Sequence, residues 1–394
     1  MTDDGSRGRL ELIATAAFGL EAVVARELKQ LGYDDQQSED GRITFRADEA
    51  AICRANVRLR SSDRVLVKVG SFEARDFGQL FDRTRDLPWA DWIPFDARFP
   101  VRGRSVKSML HSVPDCQAIV KKAVVESMRR KTRTAWFPEE GPEYSIEVSL
   151  LKDRATLTID TTGDGLHKRG YRKLVGPAPL KETMAAGLVQ LSYWNRDRPL
   201  IDPFCGTGTI AIEAALIGRN MAPGLQRPFA AEHWPRVPKK MWDEARKEAR
   251  GLALPPLPEP ILASDIDERS LDLARRNAEL ARVAQDIRFE RRDVRDLSSH
   301  RKYGCLITNP PYGERLGADA GLEALYRDFA RAARKLDTWS TYVLTAYPHL
   351  EDDFERKADR RRKLYNGRIE CAYYQFQGPR PPWQAPPDRP SSQS

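Results

Sequence analysis

Two hydrophobic periods alternate along the chain. Short runs of alternating or continuous apolar residues end at turn signals, and apolar residues spaced three and four apart then take over. "LELIATAA" reads as a strand, after which Leu20, Val23, Val24, Leu28 and Leu31 repeat at helical spacing. "GRITFRA" and "DEAAICRANVRL" repeat the strand–helix pair. "RVLVKVGSF" sets Val65, Val67 and Val69 against Leu66 and Lys68, the alternation of a strand with one face covered. "FGQLFDRTRDLPW" predicts a helix and "ARFPVRGRSV" an extended segment. Ser112 followed by Pro114 signals a helix start, and Ile119, Val120, Ala123, Val124 and Met128 supply that long helix with an apolar stripe. "YSIEVSLLKDRATLTIDTTG" predicts a hairpin that turns at Lys152-Asp153. Such a mixture of short strands and helices predicts ferredoxin-like α+β units.

The pattern changes after Gly176. "APLKETMAAGLVQLSYW" predicts an amphipathic helix, and strand–helix alternation then runs to about Tyr347, the mark of a parallel sheet with helices on both faces. The stretch from Gly224 to Pro260 lengthens the first crossover. In "RKLYNGRIECAYYQF" an Asn366-Gly367 turn separates two apolar-rich runs, which predicts an antiparallel hairpin closing the sheet. "QGPRPPWQAPPDRPSSQS" is Pro-rich and predicts a disordered tail. The expected divisions are 1–60, 61–165, 166–378 and a tail over 379–394.

Composition bounds these units. The 394 residues suffice for two or three domains, and 41% hydrophobic content is ordinary for a globular protein. No apolar run reaches membrane-spanning length. The opening "MTDDGSRGRL" lacks the order of a signal peptide, and Cys53, Cys116, Cys205, Cys305 and Cys371 are scattered without a C-x-x-C pair. A cytoplasmic protein without a metal site or disulfide framework is therefore expected; the oligomeric state is not set by these features. The net charge is +8, and basic residues gather in four local clusters. These are Pro100–Ser108, Met128–Arg133, His167–Lys173 and Arg356–Lys363. Each alone reads as a solvated face; together they point to a phosphate backbone. Arg102, Arg104, Lys107, Arg129, Arg130, Lys131, Lys168, Arg169 and Arg172 are the expected RNA contacts.

Chemistry is carried at the ends of successive strands. "PLIDPFCGTGTIAIEAALIG" is a short strand ending at Asp202, a tight turn through Gly206 and Gly208, and an apolar helix. Glycines let a ligand approach the backbone, and the helix start offers free N–H groups. The turn is not G-x-G-x-x-G and has no P-loop lysine, so a nucleotide-like ligand other than a dinucleotide is favoured. "ILASDIDERSLDLARRNAEL" ends its strand near Asp265, placed to accept ribose hydroxyls; Asp267 is either that acid or a helix cap. "IRFERRDVRDL" ends at Asp293, which reads as an acceptor for an adenine amine or as a turn residue. "LITNPPYGERLG" then puts Asn309, Pro310, Pro311 and Tyr312 in a stiff loop after an apolar strand.

In that order the motifs resemble class I S-adenosylmethionine-dependent methyltransferases, which have a Rossmann-like doubly wound sheet. "TNPPYG" is similar to the signature shared by enzymes that methylate adenine N6 and guanine N2. The resemblance implies catalytic roles for Asn309, Pro310, Pro311 and Tyr312. It implies cofactor contacts from Asp202, Phe204, Cys205, Gly206, Thr207, Gly208, Asp265, Ile266, Asp293, Val294 and Asn309, and at the methionine end from Pro179, Lys181, Glu182 and Thr183. An exocyclic amine is a poor nucleophile because its lone pair is delocalised. The Asn309 oxygen and the Pro310 carbonyl would accept its two N–H bonds and aim the lone pair at the methyl group, while Tyr312 stacks on the base. The donor is already activated, so positioning does most of the work, and Cys205 is expected only to pack.

"GRSVKSMLHSVPDCQAIVKKAVVESM" and the hairpin after it resemble the THUMP RNA-binding domain, and the segment before resembles its ferredoxin-like companion. The whole is similar to bacterial RNA guanine-N2 methyltransferases, in particular the N-terminal half of the bifunctional 23S ribosomal RNA enzyme. The resemblance does not extend to the second catalytic half of that enzyme. The implied substrate is 23S ribosomal RNA. A transfer RNA substrate, a DNA adenine-N6 activity and a non-catalytic RNA-binding assembly factor are the alternatives.

Overall fold

The computed structural model describes residues 9–132, 136–172, 180–312 and 319–382. Much of the expected tail, residues 383–394, and the Lys173–Pro179 stretch lie outside the described residues.

The chain opens with β1 (Leu10–Ala16), α1 (Glu21–Gln30), β2 (Gln36–Glu39), β3 (Arg42–Ala47), α2 (Ala50–Arg58) and β4 (Ser62–Glu73). Their strands lie in the order β4-β1-β3-β2, the ferredoxin-like arrangement. α3 (Phe77–Arg85), β5 (Val101–Val106), α4 (Val113–Thr132), β6 (Ile146–Leu151) and β7 (Arg154–Asp160) follow. The Lys152-Asp153 turn has positive φ at both residues, which matches the hairpin expected there. β4 is twelve residues long and serves both units. Its Ser62–Val67 portion pairs with β1, and Leu66–Glu73 pairs with β7. One seven-stranded sheet therefore runs through both units, in the order β2-β3-β1-β4-β7-β6-β5.

The second half comprises α5 (Glu182–Leu191), β8 (Leu200–Asp202), α6 (Thr209–Gly218), α7 (Lys239–Gly251), β9 (Ile261–Asp265), α8 (Glu268–Leu280) and β10 (Ile287–Arg291). β11 (Cys305–Thr308), α9 (Asp319–Arg334), β12 (Ser340–Thr345), α10 (Leu350–Asp353), β13 (Arg360–Asn366) and β14 (Ile369–Phe376) complete it. The strand order is β10-β9-β8-β11-β12-β14-β13, with β8 to β12 parallel and β14 antiparallel to both of its neighbours. The hairpin expected at Asn366-Gly367 is present, with Gly367 at φ +65°. The order reverses between β8 and β11, and the carboxyl ends of β8 to β11 share one edge. Ligands of open α/β sheets bind outside such an edge.

Three elements depart from the sequence expectation. β2 is polar (Gln-Gln-Ser-Glu) and is recruited through its backbone by β3, so no apolar period announces it. α5 is not amphipathic: every residue from Glu182 to Val189 is buried. It is covered by the first half as well as by its own sheet; a Cβ on Gly187 would meet Leu20. The lengthened crossover is also not a loose excursion. Its Trp234 ring stacks on Tyr144 at 4.3 Å and its Trp242 ring on Phe229 at 5.2 Å, inside the same apolar core as β1, β3 and β4. Each such pair contributes about 0.5–1.5 kcal/mol beyond its burial. The Trp234 indole also donates to the Glu143 carbonyl at 3.0 Å, and Gly224 N to the Val57 carbonyl at 2.9 Å.

Candidate active site

The glycine turn after β8 is held from three directions. Cys205 N donates to the Ser264 carbonyl at 3.0 Å, Gly206 N to Asp265 Oδ2 at 2.9 Å, and the buried Asn277 amide to the Thr207 carbonyl at 3.2 Å. Gly206 has φ +50° and open space where a Cβ would stand, so a ligand can lie against its backbone. Gly208 has φ +83° and caps α6. Phe204 packs edge-on against Phe329 at 5.3 Å. Cys205 is buried, and burial pushes its thiol well above the ordinary range, which agrees with a packing role.

Asp202 is the buried floor of the site. Its Oδ1 accepts the Thr308 hydroxyl at 2.6 Å and Phe204 N at 3.3 Å. Burial pushes its pKa up to about 7.

The two acids after β9 differ in their hydrogen bonds. Asp267 caps α8, taking Arg269 N, Ser270 N and the Ser270 hydroxyl. Asp265 receives one backbone N–H on each oxygen, from Gly206 and Asp267. That fixes its orientation and leaves a second lone pair on each oxygen for a diol. Ile266 beside it is 62% exposed, an apolar side chain held open at the sheet edge. Asp293 caps a short turn through Arg295 N at 2.9 Å and is also paired with the Arg295 guanidinium at 2.6 Å; that pairing lowers its pKa. Val294 is buried behind it.

Asn309 follows β11 directly. Its Oδ1 is buried and accepts no hydrogen bond among the described residues. Leaving a buried acceptor unpaired costs about 1–3 kcal/mol, so this atom is poised for a donor that the described residues do not supply. The loop beyond it is braced from behind. Tyr326 donates to the Pro311 carbonyl at 3.1 Å, lies 2.6 Å from the Thr345 hydroxyl and stacks on Tyr347 at 4.1 Å. Pro310 is buried. Tyr312 is 4% exposed, and its hydroxyl accepts from the Asn366 amide at 2.8 Å.

A cavity of about 870 Å³ opens beside the start of α5, lined among others by His167, Lys168, Lys181, Glu182, Gln226 and Phe229. Thr183 donates to Asp63 at 2.8 Å, Lys181 lies 3.8 Å from the same carboxylate, and Glu182 pairs with Arg172 at 3.4 Å. Arg172 also bonds the Leu180 carbonyl and the Thr209 hydroxyl at the start of α6. Pro179 lies outside the described residues.

Two of the expected RNA contacts are corrected. The Arg169 side chain is 2% exposed and pairs with the fully buried Glu213 at 3.4 Å, while also donating to the carbonyls of Leu166 and Arg60. The Arg172 side chain is 6% exposed and committed as described. Both cations are committed to partners inside the protein, at the wall of the cavity rather than on the outer surface. Arg102, Arg104 and Lys107 are exposed on or beside β5, the outer strand of the first sheet, with Arg104 3.2 Å from Glu147. Arg129, Arg130 and Lys131 are exposed at the end of α4, with Lys131 paired to Asp91 and Arg130 3.9 Å from Glu126. Lys168 is exposed and pairs with Asp164 at 2.8 Å. Such surface pairs contribute little and leave the cations available.

Asn277, Thr308, Tyr326 and Asn366 were not anticipated. Each acts on a segment 15 to 106 residues away in the chain, so no local pattern marks it. Among the described residues, no group of three His, Cys, Asp or Glu side chains is gathered to hold a metal ion, and no helix is long and apolar enough to cross a membrane.

Known proteins share this architecture. A family model for an RMKL-like methyltransferase domain matches residues 169–375, one for an RlmL ferredoxin-like domain matches 11–66, and one for a THUMP domain matches 74–160. A Bacillus subtilis protein named "Putative RNA methyltransferase YpsC" is 50% identical over 367 residues, 93% of this chain and 95% of its own. A Listeria monocytogenes structure, named "a predicted N6-adenine-specific DNA methylase", superposes with a TM-score of 0.90 at 49% identity, covering 94% of this chain and 97% of its own. The structure of SMU.472, "a putative methyltransferase complexed with SAH", has a TM-score of 0.89 at 43% identity, covering 95% and 99%. Carrying the glycine turn, the strand-end acids and the Asn-Pro-Pro-Tyr loop on this sheet, behind ferredoxin-like and THUMP units, the chain belongs to the RMKL-like methyltransferase family.

Proposed function

We propose that the chain transfers a methyl group from S-adenosyl-L-methionine to the exocyclic N2 amine of a guanosine in RNA, with 23S ribosomal RNA as the substrate. The observation that carries this reading is the orphaned, buried Asn309 Oδ1 at the carboxyl end of β11. An amine with two N–H bonds satisfies it, and the Pro310 carbonyl is the second acceptor.

S-adenosyl-L-methionine is the methyl donor and supplies, when bound, a methyl group already activated on a sulfonium. Asp265 would take its ribose hydroxyls, and Ile266, Asp293 and Val294 its adenine. The turn from Phe204 to Gly208 would lie beneath it, and Lys181, Glu182 and Thr183 would flank its methionine end. The open space over Gly206, the doubly anchored Asp265 carboxylate and the exposed Ile266 side chain fit that ligand. Asn309 then orients the amine, and Tyr326 and Asn366 keep the loop in register. The methylated ammonium loses its proton readily, so no strong base is required.

RNA is supported by the THUMP match and by the name of the Bacillus relative. A target base must leave its stack to reach the loop, at a cost of a few kcal/mol, which cationic surface on the first half would offset.

The test is radiolabelled methyl transfer to total RNA from a strain lacking the protein, fractionated by size and digested to nucleosides. N2-methylguanosine in 23S RNA is the expected product. Label in the transfer RNA fraction moves the substrate. N6-methyladenosine overturns the choice of amine, and label in genomic DNA supplied in parallel, with none in RNA, overturns RNA.

A further inference from the structure

We propose that the outer edge of β13, together with the aromatic pair Phe18–Tyr365, binds the single-stranded RNA segment next to the target nucleotide. This rests on the reading of RNA as the substrate.

β13 is the outermost strand of the second sheet and carries Arg360, Arg361, Arg362 and Lys363 in succession. Arg361 lies 3.8 Å from Glu351 and Lys363 2.7 Å from Glu370, so the cations outnumber the carboxylates paired with them. Charge on an edge strand also deters pairing with other chains. That role does not require exposed aromatic rings beside it.

Those rings come from two halves of the molecule. Phe18, in the loop between β1 and α1, is 49% exposed, and Tyr365 is 37% exposed. Their centroids are 5.9 Å apart, nearly perpendicular. Phe18 is held on a locked backbone. Gly19 has φ +86°, and a Cβ there would stand 2.7 Å from the Lys363 carbonyl oxygen and from Leu364. Arg362 donates to the Gly19 carbonyl at 2.9 Å, and Gly19 N to Glu21 at 2.8 Å. A rigid loop thus presents a half-open ring against a cationic strand.

The position ties this surface to the chemistry. Asn366, the residue after Tyr365, donates to the Tyr312 hydroxyl. A strand whose target base enters the Asn309 loop would therefore bring a neighbouring base onto the Phe18–Tyr365 step and its phosphates along β13. Bases stack on aromatic rings without regard to sequence, and phosphates meet Arg and Lys; the two features together fit single-stranded nucleic acid.

The test compares binding of a short fluorescent oligouridylate with binding of the same strand carrying abasic sites. Phe18→Ala and Tyr365→Ala should each weaken the oligouridylate about tenfold and leave the abasic strand unchanged. Phe18→Leu, which keeps apolar cover over β13 without a π face, should show the same loss, with melting temperature and S-adenosylhomocysteine affinity at wild-type values. Arg360→Gln with Arg361→Gln should weaken both strands and lower the salt slope by about 0.7 per cation removed. Equal losses on both strands from the aromatic variants, or no loss on either, overturn the aromatic step. A wild-type chain that binds neither strand overturns the single-strand surface, and one that methylates DNA and no RNA overturns the RNA reading itself.

Discussion

Thr308 gives its hydroxyl hydrogen to the Asp202 carboxylate across 2.6 Å, joining two turns that lie 106 residues apart in sequence. Asp202 anchors the start of the glycine turn through Phe204 N, and Thr308 immediately precedes Asn309. The glycine turn and the Asn-Pro-Pro-Tyr loop are thus registered against each other through one buried bond. Thr308→Val keeps the shape and removes the donor. The expected result is a loss of about 1–3 kcal/mol in urea unfolding, together with lower turnover and a higher KM for the methyl donor.

Asp202 also predicts a pH dependence of stability. Its pKa rises from the ordinary aspartate value of 3.8 to about 7 on folding, because burial disfavours the charge. The native state holds this proton more tightly than the unfolded chain. The contribution is therefore full below about pH 4 and is lost as pH rises toward 7. Asp202→Asn cannot ionise and still accepts from Thr308. The stability of the variant relative to wild type should grow between pH 4 and 7, by at most about 4 kcal/mol, and then level off. A flat difference across that window would remove the buried-acid account.

Asn309→Ala should separate chemistry from folding. The lost oxygen has no partner to abandon among the described residues, and its removal relieves an unpaired buried acceptor, so stability should hold or rise by up to about 1–3 kcal/mol. Methyl transfer should fall by about a hundredfold or more, since the amine loses its orienting acceptor. Destabilisation in step with the lost activity would mean that the residue is structural.

Tyr326→Phe removes the hydroxyl that meets the Pro311 carbonyl and Thr345. Turnover should drop about tenfold as the loop loosens, with KM for the methyl donor unchanged. A changed donor KM with normal turnover would assign the residue to the cofactor side.

The buried Arg169–Glu213 pair makes a stability prediction where an RNA-binding one was expected. Arg169→Met strands a carboxylate that is fully buried on α6 and should cost about 3–5 kcal/mol. The salt slope of RNA binding should not move. A slope reduced without loss of stability would return Arg169 to the RNA surface.

What can be read from the sequence is what is local. The glycine turn, Asp265 and the Asn-Pro-Pro-Tyr loop each combine a strand end with its turn in contiguous residues, so their place at one sheet edge follows from order alone. The braces do not, because Asn277, Thr308, Tyr326 and Asn366 work across folds of the chain. Cations mislead for a related reason: Arg169 and Lys168 are neighbours of one charge, and only packing separates the buried one from the exposed one. α5 reads as amphipathic because Glu182, Thr183 and Gln190 are polar. Their partners Arg172, Asp63 and Glu27 come from elsewhere in the chain, which lets the polar side of the helix be buried too.

The crossover between α6 and β9 has a bearing on how this protein can be taken apart. By chain order it belongs to the second sheet, yet Phe229, Trp234 and Trp242 complete the apolar interior of the first. A graft of the ferredoxin-like and THUMP units onto another catalytic sheet would leave that interior short of three large aromatic residues. Recombination at the obvious linker is therefore unproductive unless the crossover travels with the front half, and two lineages exchanging these parts would have to exchange a discontinuous piece of chain.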